Sequence, residues 1–228
     1  MVLINKLGIR DPDALAAAEV AATAQRAQTL KVLNRELFKP EVFAKIHRHL
    51  FQDLYTWAGE HRTVDIGKPG GGGFAPVKHL GVLVPDASDR FRGAVPMAQL
   101  YRIRDRAMVQ PEAAIEILAG KLARPVGDLN YAHPFRDGNG RVTRAYIDQL
   151  AQRTGLAFRS SRLDPEAWLE ASIRSSREER DTEPLRKQLQ RALVSPERER
   201  ALGQRAAAAQ VKEVRRDRER GRGHDRGG

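Results

Sequence analysis

Along most of the chain the apolar residues recur at helical spacing, not strand spacing. Val42, Phe43, Ile46, Leu50 and Phe51 follow Pro40-Glu41 at intervals that place them on one face of a helix. Ile115, Leu118 and Leu122 repeat the pattern after Pro111-Glu112, and Trp168, Leu169 and Ile173 repeat it after Asp164-Pro165. Asp11-Pro12 supplies an N-cap and a first-turn proline, opening an alanine-rich helix to about Leu30. Between residues 77 and 108, Pro85 and Pro96 divide the helical runs into two or three short helices. Trp57 is expected to close the core, Gly59 to end the second helix, and Gly155 to cap the helix carrying Arg144, Ile147 and Leu150. Pro125 and Gly127 stand inside the run that begins at residue 111 and are expected to interrupt it. The fold class predicted is therefore mainly α, a helical bundle.

The stretch from His133 to Arg144 reads His-Pro-Phe-Arg-Asp-Gly-Asn-Gly-Arg-Val-Thr-Arg and does not fit a simple helical stripe. Gly138 and Gly140 flank Asn139 and can turn successive backbone N–H groups toward an anion. The following residues have helical composition, so this nest would lie at a helix N-terminus, where the dipole also favours phosphate. Arg141 and Arg144 are three apart and share a helix face, so both can reach one polyphosphate. Asp137 is placed to hold Mg²⁺ together with phosphate oxygens, or to cap the helix. His133 has a pKa suited to accepting a proton near neutrality, and Phe135 is an anchor for the middle of the loop. His47 and His49, two apart on a helix, point to different faces and do not form a shared metal site; packing at the surface or core edge is expected of them.

With every fixed position matched, this segment resembles the signature of the Fic family, His-x-Phe-x-(Asp/Glu)-Gly-Asn-Gly-Arg-x-x-Arg. The resemblance implies a protein adenylyltransferase that moves AMP from ATP to a hydroxyl side chain of a target protein. It implies His133 as the base, Asp137 as the Mg²⁺ ligand, and Gly138, Asn139, Gly140, Arg141 and Arg144 as the nucleotide-binding set, with Arg144 on the γ-phosphate. Related Fic chemistry transfers phosphate, UMP or phosphocholine; kinase-like relatives carry Lys near the position of Gly140, and Gly here favours adenylylation. The Trp57-Ala-Gly…Arg62…Ile66 stretch is similar to the one that leads into the Fic flap. That hairpin would have residues 63–66 and 74–77 as arms, hold the target's backbone beside the site, and carry the glycine run 70–73 near its tip.

Many Fic proteins are inhibited by a helix bearing (Ser/Thr)-x-x-x-Glu-(Gly/Asn). No Glu in this chain is followed by Gly or Asn. The resemblance therefore points to the branch without an in-chain inhibitory helix, in which a small antitoxin supplies the Glu in trans, or to secreted effectors.

Composition refines the picture without changing it. The 228 residues suit one domain, 1–195, with a basic, largely disordered tail, 196–228. Cysteine is absent, which fits a reducing, cytoplasmic setting without disulfides or thiolate metal sites. No apolar run approaches membrane-spanning length. The net charge of +11 raises nucleic-acid binding, as an inactive adaptor or through residual affinity of the tail. With 6% aromatic residues and no zinc-finger or RNA-binding pattern, nucleic acid is disfavoured as the main partner. The spaced arginines of the tail also resemble the signals of proteins exported by type IV secretion.

Overall fold

The computed structural model describes residues 2–67, 73–176, 181–201 and 204. Helix α1, Pro12–Gln28, starts as predicted: the Asp11 carboxylate accepts the Ala14 N–H at 2.7 Å and Pro12 occupies the first turn. Helix α2, Glu41–Phe51, turns Val42, Phe43, Ile46, Leu50 and Phe51 into the core, and its His47 is fully buried as well. Pro85 and Pro96 act differently. Helix α3, Leu80–Ala94, carries Pro85 inside it, and Pro96 is the N-cap of α4, Met97–Val109.

Helix α5, Pro111–Ala132, is the centre of the bundle and packs against α3, α4, α6, α7 and α8. The expected interruption does not occur: α5 runs unbroken through Pro125 and Gly127. A Cβ on Gly127 would lie 2.9 Å from the Ser175 Cβ, so this glycine serves the close approach of another helix. Helix α6, Asn139–Arg153, follows the signature loop and ends in a Schellman arrangement. There Gly155, at φ 70°, donates its N–H to the Gln152 carbonyl and Leu156 donates to that of Ala151.

Helix α7, Pro165–Ser176, is opened by the Asp164 carboxylate, which accepts the N–H groups of Glu166 and Ala167. Helix α8, Glu183–Ala192, was not expected from a segment dominated by charge. Leu185, Leu189 and Ala192 are its buried stripe against α5. Two short strands, β1 at Ala157–Phe158 and β2 at Leu193–Val194, pair antiparallel and tie the end of α8 to the end of α6.

The flap arms differ from expectation. Residues 63–66 and 74–77 form no strand, Val77 opening a 3-10 turn instead, and the described arms are joined by a side chain: the Asp65 carboxylate accepts the Val77 N–H at 2.6 Å. Residues 68–72 of the expected tip and 202, 203 and 205–228 of the tail lie outside the described residues.

Candidate active site

The signature loop links the C-terminus of α5 to the N-terminus of α6. His133 is the C-cap of α5 in the left-handed region, φ 44° and ψ 58°, which costs a non-glycine residue on the order of 1 kcal/mol. Its Nδ1 lies 3.3 Å from the Asn130 carbonyl oxygen. A carbonyl can only accept, so Nδ1 is the donor in this contact, and in the neutral ring that leaves Nε2 as the basic nitrogen. Phe74 stacks on the imidazole, with centroids 3.6 Å apart and planes at 14°.

The loop's middle is braced from inside. Phe135 is buried, as expected of an anchor, and stacks on His47 at 4.2 Å between centroids. The Asn139 side chain accepts the Phe135 N–H at 2.9 Å and donates to the Phe135 carbonyl at 2.7 Å. Both ends of that amide are therefore engaged by the loop itself, and what Asn139 offers a phosphate is its main-chain N–H. Gly138, at φ 78°, is the N-cap of α6; a Cβ there would meet Phe51 Cε2 at 2.5 Å. The first N–H groups of α6 lack intrahelical acceptors and carry the positive end of its dipole.

The two signature arginines stand in different environments. Arg141 lies over the Phe51 ring, 4.5 Å from its centroid, and its Nη2 is 2.7 Å from Glu19 Oε2 and 3.3 Å from Asp137 Oδ2. Glu19 comes from α1, is 8% exposed, and also accepts the Tyr55 hydroxyl. Arg144 is partly buried against the start of α6, with Nη1 3.2 Å from where a Gly140 Cβ would be. Burial, then repulsion from Arg141, lowers its pKa from the usual arginine range. Among the described residues no carboxylate lies within ion-pair distance of Arg144. Asp137 keeps its side chain 45% exposed at the loop's surface.

Three supporting residues were not singled out for the site from sequence: Glu19, His47 and Arg62. His47 was expected at the surface or core edge. It accepts the Gly59 N–H on Nδ1 at 2.8 Å, and its Nε2 lies 3.1 Å from the Asp137 carbonyl, so it is a neutral bridge between two turns. Burial drives its pKa down to about 4. Gly59, at φ 91°, belongs to this bridge and not to the end of α2, which closes at Phe51. Arg62, buried, donates to the His133 carbonyl at 2.9 Å.

The geometry is a histidine in a braced loop, an exposed carboxylate, a helix N-terminus and a partly buried guanidinium with no carboxylate partner among the described residues. The Fic/DOC family model matches residues 37–151, about half the chain and including the whole loop. The chain belongs to the Fic/DOC family.

Its similarity to other Fic proteins extends past that core. It is 30% identical over 171 residues to the probable protein adenylyltransferase Fic of Salmonella typhimurium, covering 75% of this chain and 78% of that one. It is 32% identical over 175 residues to the protein adenylyltransferase VbhT of Bartonella schoenbuchensis, covering 76% of this chain and 34% of that longer one. The fold matches BepC, a VirB-translocated effector of Bartonella tribocorum with bound AMPPNP. There the TM-score is 0.67 at 20% identity, over 86% of this chain and 93% of that one. At that identity the likeness shows the fold.

Proposed function

We propose that this Fic protein is a Mg²⁺-dependent protein adenylyltransferase. The observation that carries the reading is Arg144: a desolvated guanidinium without a carboxylate partner among the described residues, beside the open N–H groups of α6. Such a cation is stabilised by a polyphosphate held against the helix start. The names of the curated relatives support adenylyl transfer as the chemistry.

In the reaction, Arg144 and the first N–H groups of α6 hold the nucleotide's phosphates, and Arg141 offers the nitrogens that Glu19 and Asp137 leave over. His133 Nε2 takes the proton of the target's hydroxyl as that oxygen bonds to the α-phosphorus. The bond from the α-phosphorus to its bridging oxygen breaks, and pyrophosphate leaves with that oxygen. Among the described residues no three acidic or histidine side chains cluster as a metal site. The exposed Asp137 carboxylate fits Mg²⁺ in its usual mode, one carboxylate with water and substrate phosphates. When bound, the ion would supply positive charge against the phosphate oxygens.

The partners proposed are a target protein docked on the segment around residues 63–77 and an antitoxin whose Glu reaches Arg144. Export by type IV secretion is a further proposal, supported by likeness to VirB-translocated effectors. No described helix is long and apolar enough to cross a membrane.

The test is label transfer in a bacterial lysate from α-labelled and γ-labelled ATP, with the wild type and His133→Ala. Labelled protein with α-label only, reduced roughly 10²–10⁴-fold in the variant at unchanged thermal stability, is the expected result. Transfer of γ-label alone would replace the reading with kinase-type chemistry.

A further inference from the structure

Arg62 makes an unusual set of contacts for a buried cation. Its side chain is 1% exposed, yet among the described residues its guanidinium donates to four main-chain carbonyls. Nε donates to His133 at 2.9 Å, Nη1 to Val64 at 3.0 Å, and Nη2 to Ala75 and, at 3.4 Å, to Ala132. Its own N–H donates to the Pro134 carbonyl at 2.8 Å. Its nearest carboxylate, Asp65, is 3.6 Å away and 71% exposed. The planar fork of an arginine can serve this many acceptors at once, whereas a lysine ammonium cannot hold the same geometry.

Those carbonyls belong to three places. Val64 lies on the outgoing arm of the flap segment and Ala75 on the returning arm. Ala132, His133 and Pro134 bracket the base, whose left-handed backbone must be held from outside. The returning arm is fastened twice more: Ala75 donates its N–H to the Tyr131 carbonyl at 3.0 Å, and Phe74 covers the His133 ring. Asp65 then closes the circuit by accepting the Val77 N–H while facing Arg62.

We propose that Arg62 is a positioning residue that locks both arms of the flap segment to the backbone of His133, so that the surface docking the target and the base acting on it keep one fixed relation. The proposal rests on the reading of His133 as the base in adenylyl transfer. Arg62 is far along the chain from the phosphate-holding start of α6 and none of its hydrogen bonds reaches it. Its loss should therefore act on transfer and not on nucleotide binding.

The test compares Arg62→Lys and Asp65→Ala with the wild type in three measurements: transfer rate at saturating ATP and target, ATP affinity, and the His133 ring proton resonance. The resonance is identified by its disappearance in His133→Ala. Shielding by the Phe74 ring places it upfield. The expected result for Arg62→Lys is a transfer rate reduced at least tenfold, ATP affinity within twofold, and a His133 resonance moved downfield as the stack loosens. Asp65→Ala, a change at an exposed side chain that keeps the fold if Arg62→Lys does not, should show the same split at a few-fold. A transfer rate within twofold of the wild type in both variants, or ATP affinity falling in step with rate, would overturn the proposal. The resonance needs no turnover. An unmoved His133 signal in both variants overturns the positioning role even if transfer is never detected, and a moved one supports it when only the adenylyl-transfer reading has failed.

Discussion

Single residues around the loop carry opposite burdens of charge. Glu19 is a nearly buried carboxylate whose two oxygens serve Tyr55 and Arg141. Glu19→Ala strands both partners and should lower stability by about 1–3 kcal/mol, whereas Glu19→Gln, which keeps an acceptor for Tyr55, should cost less; thermal unfolding of the pair decides this. Gly138→Ala forces a Cβ into Phe51 at positive φ and should cost on the order of 2 kcal/mol or more, partly recovered by Phe51→Leu. His47 gives a pH dependence. Its folded pKa of about 4 lies below the unfolded value, so only the unfolded chain takes up a proton as pH falls below about 6.5. Stability is full above that pH and declines toward pH 4, by about 3 kcal/mol in all, and His47→Gln should flatten that acid limb in denaturant titrations.

At the scale of elements, the helices rest on local patterns, and those were legible. Asp11-Pro12, the stripe of α2 and the Gly155 cap each act through neighbours within a turn or two. Pro125 and Gly127 were misread because a breaker and a contact glycine look alike until the partner is known. Only the fold brings Ser175 of α7 against Gly127. Helix α8 was missed because its charged positions outnumber three buried ones, although Pro184 and the spacing of Leu185, Leu189 and Ala192 were there to be read. Leu189 is fully buried, so Leu189→Ala should cost about 2–5 kcal/mol by chemical denaturation, despite its distance in sequence from the signature. The flap arms were drawn as strands, but the described arms are held by Asp65 and Arg62 instead of by a ladder.

For the whole molecule, the candidate site was legible because its parts are contiguous: a dozen residues contain the histidine, the carboxylate and both arginines. What the sequence left hidden is the support brought from elsewhere, Glu19 from 122 positions away and Arg62 from 71. The basic character is also spread more widely than the tail suggests. Residues 196–228 hold ten Lys and Arg against six Asp and Glu, so most of the +11 belongs to the folded part. Removing residues 196–228 should accordingly leave label transfer within about twofold, while any affinity for DNA that remains should still weaken steeply with salt.

The central place of α5 has a bearing on how the protein is made. This helix is covered by α3 and α4 from before it and by α6, α7 and α8 from after it. A nascent chain that has emerged only as far as the signature therefore presents His133 on a supporting helix that still has an uncovered apolar side. Synthesis must pass Ala192 before the bundle closes. The order of translation thus delays the assembled site until nearly the whole domain exists.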